Sequence, residues 1–207
     1  MEHKYLRWLS GETQSIYWHD SAIFAEEQEA YPNGAVGMTT NPFLVQSTLN
    51  ADRDFWQERL DALPKDLSGD AKAEALIRTV TSFYAEQFLP VYKKGIPGKG
   101  FVCAQTNPNK IGDAADMIDQ MKRLAVMAPN IVIKVPATNA GIKTYEEGVA
   151  LGFNMAATVS FTVPQVLEVG AAAARGKERA LKNGIKPGLT IAVLMAGRLD
   201  DYLRDVA

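Results

Sequence analysis

A single lysine, Lys134, interrupts the apolar run at 130–138, and its surroundings determine what chemistry it can do. A β-branched run of this kind is typical of a parallel strand that is covered on both faces. Burial disfavours the charged form of an amine, and a neutral lysine amine can attack a carbonyl and form a Schiff base. The alternative is a lysine whose aliphatic stem is buried while its ammonium reaches water at the end of the strand.

Other residues able to take part in catalysis follow other apolar segments. They fall at the C-terminal ends of the predicted strands, and they are Asp20, Asn41, Gln105 and Thr158. A (β/α)8 barrel collects its active site from the carboxyl ends of several different strands. The distribution of these side chains along the chain therefore favours an active site of that kind.

Six short apolar segments must position these residues, and stretches with the composition of helices separate them. The predicted strands are 15–20, 35–39, 100–106, 130–136, 154–159 and 189–195, and the clearest predicted helices are 52–63, 71–92, 112–127 and 141–151. This alternation indicates an α/β protein with a parallel sheet. No glycine-rich dinucleotide-binding motif follows the first strand, which argues against a Rossmann fold.

The strand count differs from that of a complete barrel. A closed (β/α)8 barrel has eight strands, whereas the sequence predicts the six above and ends at 198–207, where a helix after the sixth strand would begin. We therefore expect residues 1–207 to form one barrel-type domain that is incomplete at its C-terminus. Its unpaired first and sixth strands would expose two sheet edges.

Composition narrows the classes of function. The chain has 207 residues, of which 47% are hydrophobic and 22% charged, as in ordinary globular domains. A formal net charge of −2 provides no basic surface for nucleic acid or for an anionic membrane. No apolar run approaches the roughly 18 residues of a membrane span, and the polar start of the sequence does not have the pattern of a signal peptide. We expect a cytoplasmic protein.

Cysteine and histidine are rare in this sequence. Two histidines and one cysteine give little support for a zinc site, and one cysteine cannot form an internal disulfide. Cys103 lies in an apolar stretch, where burial as a small hydrophobic residue is expected. We predict neither a metal nor a cofactor.

Three stretches together resemble the transaldolase family of class I aldolases. The first is Gly37-Met38-Thr39-Thr40-Asn41-Pro42, the second is the run 131–138 around Lys134 followed by Gly141, and the third is the segment GFNMAATVSF at 152–161. Their order and approximate spacing agree with the family over nearly the whole chain. The resemblance implies a (β/α)8 TIM barrel of the class I aldolase type, without its last two βα units in this chain.

The resemblance also implies a role for each candidate residue. Lys134 corresponds to the Schiff-base lysine of the family, and Asp20 corresponds to its general acid/base. Asn41 corresponds to the asparagine that hydrogen-bonds substrate hydroxyls, and Thr39 of the same motif is expected to contact substrate. Thr158 corresponds to the threonine that helps hold a catalytic water.

A phosphate-binding arginine of the family corresponds to Arg198, whose guanidinium can donate two hydrogen bonds to one phosphate. Each of these residues has a simpler interpretation. Asp20 could be the N-cap of a helix beginning at Ser21, and Asn41 a cap before Pro42, a role compatible with substrate binding. Thr158 could be an ordinary β-branched strand residue, and Arg198 a surface charge in the final helix.

The sequence departs from the family pattern at particular sites. Gln105 stands where transaldolases carry glutamate and where the fructose-6-phosphate aldolases of the same superfamily carry glutamine. A glutamine can orient a water but cannot exchange a proton. Ala156 stands where many transaldolases have asparagine, and Met195 where an aromatic residue would be expected.

The implied reaction is the reversible cleavage of a ketose phosphate, or the transfer of its three-carbon dihydroxyacetone unit to an aldose, as in the pentose phosphate pathway. The lysine iminium serves as the electron sink, so no metal is required. The expected partners are phosphorylated ketoses and aldoses, and the family resemblance implies a homo-oligomer. The alternatives are an aldolase-type lyase, a non-catalytic truncated barrel acting as a binding or assembly subunit, and a phosphosugar-binding or isomerising barrel with Lys134 as a charged phosphate ligand.

Overall fold

The computed structural model describes residues 4–206, apart from the side chains of residues 199 and 205. The helices are α1 Lys4–Glu12, α2 Phe24–Ala30, α3 Pro42–Ala51, α4 Arg53–Asp61, α5 Gly69–Tyr92, α6 Ala114–Ala125, α7 Asn139–Ala150, α8 Val163–Lys182 and α9 Ala196–Val206. The strands are β1 Val102–Gln105, β2 Ile131–Pro136, β3 Asn154–Ser160 and β4 Thr190–Leu194. The predicted α/β class is confirmed. Within the described residues, no helix combines the length and the apolar character needed to cross a membrane.

The described chain divides into two compact units. The first comprises the chain up to Gln105 together with Met127–Ile131, and the second comprises Thr106–Val126 and the chain from Val132 onward. Each unit has helices and parallel strand segments of its own.

Three parallel segments form the sheet-like part of the first unit. Single bridges join His19 to Met38, and Met38 to Val102 of β1. The predicted strands at 15–20 and 35–39 are therefore shorter than expected. Their pairing is limited to a few backbone bonds, from Val36 N–H to Tyr17 O at 3.0 Å and from Thr39 N–H to the His19 carbonyl at 2.8 Å, because the backbone bends directly after His19.

An aromatic cluster fills the core among the helices of the first unit. Trp56 of α4 and Tyr84 of α5 are fully buried. Phe24 packs edge-on against Phe55 with ring centroids 4.7 Å apart, and Phe83 packs edge-on against Trp56 at 5.3 Å. Such pairs add about 0.5–1.5 kcal/mol each beyond the area they bury, so this cluster anchors α2, α4 and α5 to one another.

The second unit contains a regular parallel sheet in which β3 pairs with both β2 and β4. Its covered face carries Ile133, Val135 and Met155, all fully buried. The helix α7 packs against β3 and against its neighbours α6 and α8, and α8 also packs against β4. The long stretch between β3 and β4 is mostly the helix α8, capped by Thr162 and Gln165.

Candidate active site

Lys134 lies in the middle of β2, half-buried between the fully buried Ile133 and Val135. Its Cα partner on β3 is the buried Ala156, whose side chain is a single methyl group. Its carbonyl oxygen accepts a hydrogen bond from the Thr106 N–H at 3.1 Å. The predicted covered strand is confirmed, and its backbone pairing fixes the position from which the lysine side chain projects.

Thr158 lies on the same face of the sheet as Lys134. It pairs with Pro136, two residues beyond the pair formed by Ala156 and Lys134, and alternate residues of a strand share a face. Strand spacing places the two Cα atoms roughly 8 Å apart, and Thr158 is only 4% exposed. The lysine and the threonine can therefore contact one small substrate.

A β-bulge follows Thr158 directly. Ala157 pairs with Ala192, whereas Ser160 pairs with Leu194, so β3 has one extra residue, and Val159 there has a φ of 65°. That conformation is a strained outlier for a β-branched residue, with a cost of about 1–3 kcal/mol. Bulges of this kind change the direction of side chains and are common beside active sites. No local pattern in the sequence indicates it, because valine is an ordinary strand residue.

In the first unit, Asp20 and Thr39 follow the paired residues His19 and Met38 of adjoining segments. Asp20 is exposed and Thr39 is half-buried. The interpretation of Asp20 as a helix cap is wrong, because α2 begins at Phe24 and its N-cap is Ile23. Both residues lie at the carboxyl ends of their segments, as a barrel-type active site requires.

Asn41 and Gln105 also belong to the first unit. Asn41 comes three residues after the paired Met38, and Gln105 comes three residues after the paired Val102. Asn41 is the N-cap of α3, and its Oδ1 accepts a hydrogen bond from the Leu44 N–H at 2.9 Å. The predicted cap is confirmed, and the amide Nδ2 is the atom that could donate to a substrate. Next to it, the buried Thr40 donates to the Cys103 carbonyl at 2.8 Å. Gln105, the last residue of β1, is half-buried.

Arg198 is exposed and lies in the first turn of α9, after β4. The backbone N–H groups of a first helical turn have no partner within the helix, and they attract anions together with the helix dipole. The position suits both a phosphate ligand and a plain surface charge. Met195, just before α9, is half-buried and its N–H donates to the Ser160 carbonyl at 2.9 Å.

Two features near Asp20 were missed from the sequence. Burial lowers the pKa of His19, an effect that Glu26 and Asp20 oppose through their negative charge. The side chains of Tyr84 and Asp52 hydrogen-bond the backbone of the segment that follows Asp20. Neither residue stands in a recognisable motif, and their distance along the chain hides the contact. In the described part of the chain, no group of three or more His, Cys, Asp or Glu side chains is placed to hold a metal ion.

Comparison with known proteins gives one consistent result. The family described as Transaldolase/Fructose-6-phosphate aldolase matches residues 17–206. Transaldolase 1 of Streptomyces avermitilis is 30% identical over 81% of this chain and 46% of its own length. The transaldolase of Thiobacillus denitrificans is 25% identical over 81% of this chain and 48% of its own, and that of Neisseria gonorrhoeae 29% over 73% and 44%. The chain thus spans about half the length of these curated relatives.

Proposed function

Because the chain belongs to the Transaldolase/Fructose-6-phosphate aldolase family, we propose that it is a class I aldolase that moves a three-carbon dihydroxyacetone unit between sugar phosphates. The observation that carries this proposal is Lys134, a half-buried lysine on an otherwise apolar strand, beside Ala156 and on one face with Thr158. Its substrates are a phosphorylated ketose and an aldose acceptor. We place the protein in the cytoplasm, where such metabolites occur, as a homo-oligomer.

Lys134 is the nucleophile that begins the reaction. It attacks the C2 carbonyl of the ketose, and loss of water leaves a protonated imine. The carboxylate of Asp20 takes the proton of the C4 hydroxyl, the C3–C4 bond breaks, and its electron pair moves into the iminium to give an enamine. The aldehyde then departs, and Asn41 and Thr39 hold the hydroxyl groups of the substrate while Arg198 binds its phosphate.

Gln105 and Thr158 decide the fate of the enamine after cleavage. Adding the enamine carbon to a second aldehyde gives transfer, whereas protonating it and hydrolysing the imine releases dihydroxyacetone. Glutamine orients water without exchanging a proton, and Thr158 is buried on the lysine's face of the sheet. Gln105 favours a share of simple cleavage, and assays with and without an aldose phosphate acceptor measure the ratio of the two outcomes.

Borohydride reduction in the presence of fructose 6-phosphate, followed by peptide mass mapping, tests the proposal. We expect a reduced sugar adduct on Lys134 in the wild type. Lys134→Gln should remove the adduct and lower turnover by at least about 10³-fold, because the covalent route is lost. Lys143→Gln, which changes an exposed lysine of α7, is the matched control. It should retain both the adduct on Lys134 and the wild-type turnover. An adduct spread evenly over exposed lysines, or none with any ketose phosphate, would overturn the proposal.

A further inference from the structure

The segment that carries Asp20 has little secondary structure of its own. His19 is bridged to Met38, but residues 20–23 belong to no helix or strand, and α2 begins at Phe24. A carboxylate on such a segment is placed by whatever holds the backbone after it. Ser21 and Ala22 are nevertheless buried, at 2% and 0% exposure, while Asp20 itself is exposed.

Tyr84 holds the middle of this segment from α5. Its hydroxyl donates to the Ala22 carbonyl at 2.7 Å, and the whole tyrosine is buried. Burial raises the pKa of this phenol above its ordinary value, so the hydroxyl keeps its proton. The hydroxyl is directed at the backbone two residues from Asp20, and the neighbouring Glu27 side chain raises the same pKa further.

Asp52 holds the end of the segment. Its Oδ2 accepts from the Phe24 N–H at 3.2 Å and from the Thr48 hydroxyl at 3.3 Å, and that hydroxyl accepts from the Trp56 indole N–H at 3.3 Å. The N-cap of α2 is Ile23, whose side chain has no oxygen to accept a bond. From its place between α3 and α4, Asp52 therefore provides the carboxylate that a helix start normally takes from its own cap.

We propose that Tyr84 and Asp52 are positioning residues for the general acid/base, because together they fix the backbone on which Asp20 lies. This inference rests on the proposed function, since it gives Asp20 the proton transfer at C4. Both residues act through the backbone of residues 22–24. Their effect is confined to the step that uses Asp20, whereas the Schiff base at Lys134 forms without it.

The test separates these two steps in the same protein. In Tyr84→Phe the rate of cleavage of fructose 6-phosphate should fall about tenfold or more, as expected for a displaced catalytic group. The rate of borohydride trapping on Lys134 should stay within about twofold of wild type. Tyr31→Phe is the matched control, because the Tyr31 hydroxyl bonds Glu27 instead of the Asp20 segment and the residue is 39% exposed; it should change neither rate.

Asp52 provides a second, independent variant. Asp52→Ala should reproduce the selective loss of cleavage, and Asp52→Asn, which keeps an oxygen for the Phe24 N–H, should restore at least half of the wild-type rate. Thermal melting of each variant identifies loss of fold. If a folded Tyr84→Phe protein cleaves at the wild-type rate, or if trapping and cleavage fall equally, the positioning role is overturned. The proposed function is unaffected by either result. A wild type that never traps a ketose overturns the proposed function and this inference with it.

Discussion

The strand that carries Lys134 and the segment that carries Asp20 are held in place in different ways. β2 pairs with β3 in unbroken register from Val132 to Pro136, and its isoleucine and valine side chains are buried. The Asp20 segment has a single bridge at His19 and then depends on side chains. Backbone pairing positions the proposed nucleophile, and side-chain hydrogen bonds hold the segment of the proposed acid/base.

This difference predicts how each region responds to substitution. A residue whose backbone is paired with a neighbouring strand keeps its position as long as the packing of that strand is undisturbed. Steric changes should therefore reduce stability most around β2. A segment held by individual hydrogen bonds loses its geometry when one donor or acceptor is removed. Substitutions at three further positions, each with a control, test the comparison in order of their expected effect on stability.

The largest effect should come from Gly141→Ala near the end of β2. A Cβ at Gly141 would collide with the carbonyl oxygen of Pro136, the last residue of the strand, and with the adjoining carbonyl carbon. Because the obstacle is backbone, it cannot rotate away. We expect the free energy of unfolding to fall by about 3 kcal/mol, the upper end of the usual cost of overpacking, as measured by urea denaturation.

Gly112→Ala is the control for this change. In the described part of the chain, a Cβ at Gly112 meets no heavy atom within 4 Å, so its effect should lie within about 0.5 kcal/mol of zero. If both glycines tolerate alanine equally, the close approach of α7 to β2 is not what holds the end of the lysine strand.

Parts of both regions could be predicted from the sequence. The predicted strands at 130–136 and 154–159 agree with the structure to within a residue at each end, since β-branched runs bounded by turn residues leave little choice. The predicted strand at 15–20 is too long. Strand propensity indicates that a segment can adopt an extended conformation, but it does not show how many residues of the neighbouring segment will pair with it. The Asn41 cap was predictable because a cap acts within four residues of itself.

The remaining features depend on contacts between distant residues. Tyr84 is 62 positions from the carbonyl it binds, and Asp52 is 28 positions from its N–H partner. The strain at Val159 arises from the offset between β3 and β4, which no local pattern records. The roles of Asp20, Gln105, Thr158, Asn41, Thr39 and Arg198 in catalysis or binding stay predictions, although their places at strand ends and in the first turn of α9 suit them.

Asn41 allows the structural and chemical roles of one residue to be separated. Asn41→Asp keeps an oxygen for the Leu44 N–H, and aspartate is as good an N-cap as asparagine, so stability should stay within about 0.5 kcal/mol. Asn41→Ala should lose about 1 kcal/mol. Both variants lose the amide that we propose donates to the substrate, and kcat/KM for the ketose phosphate should fall about tenfold or more.

Asp113→Ala is the matched control for the loss of a cap. Asp113 is the exposed N-cap of α6 and accepts from the Asp116 N–H at 3.0 Å. Its removal should lower stability by about 1 kcal/mol and leave kcat/KM unchanged. Full activity in Asn41→Asp would show that the amide does not bind substrate and that the residue acts as a cap alone.

The smallest effect should come from Glu27, and it should depend on pH. Glu27 is 8% exposed on α2, and burial raises the pKa of its carboxyl above the ordinary value, although the neighbouring hydroxyls of Tyr84 and Tyr31 oppose the shift. A group with a raised folded-state pKa stabilises the fold below its unfolded pKa, and that contribution is lost as pH rises through the folded pKa. The stability of Glu27→Gln relative to wild type should therefore increase from pH 4 to pH 7 in paired denaturation curves.

One control connects this result to the comparison. The cost of Gly141→Ala should be the same at both pH values, because a steric collision involves no proton. If the Glu27→Gln difference is flat or falls with pH, the carboxyl is not held in the buried environment beside Tyr84. The hydrogen-bonded region would then be no more sensitive to pH than the strand that carries Lys134.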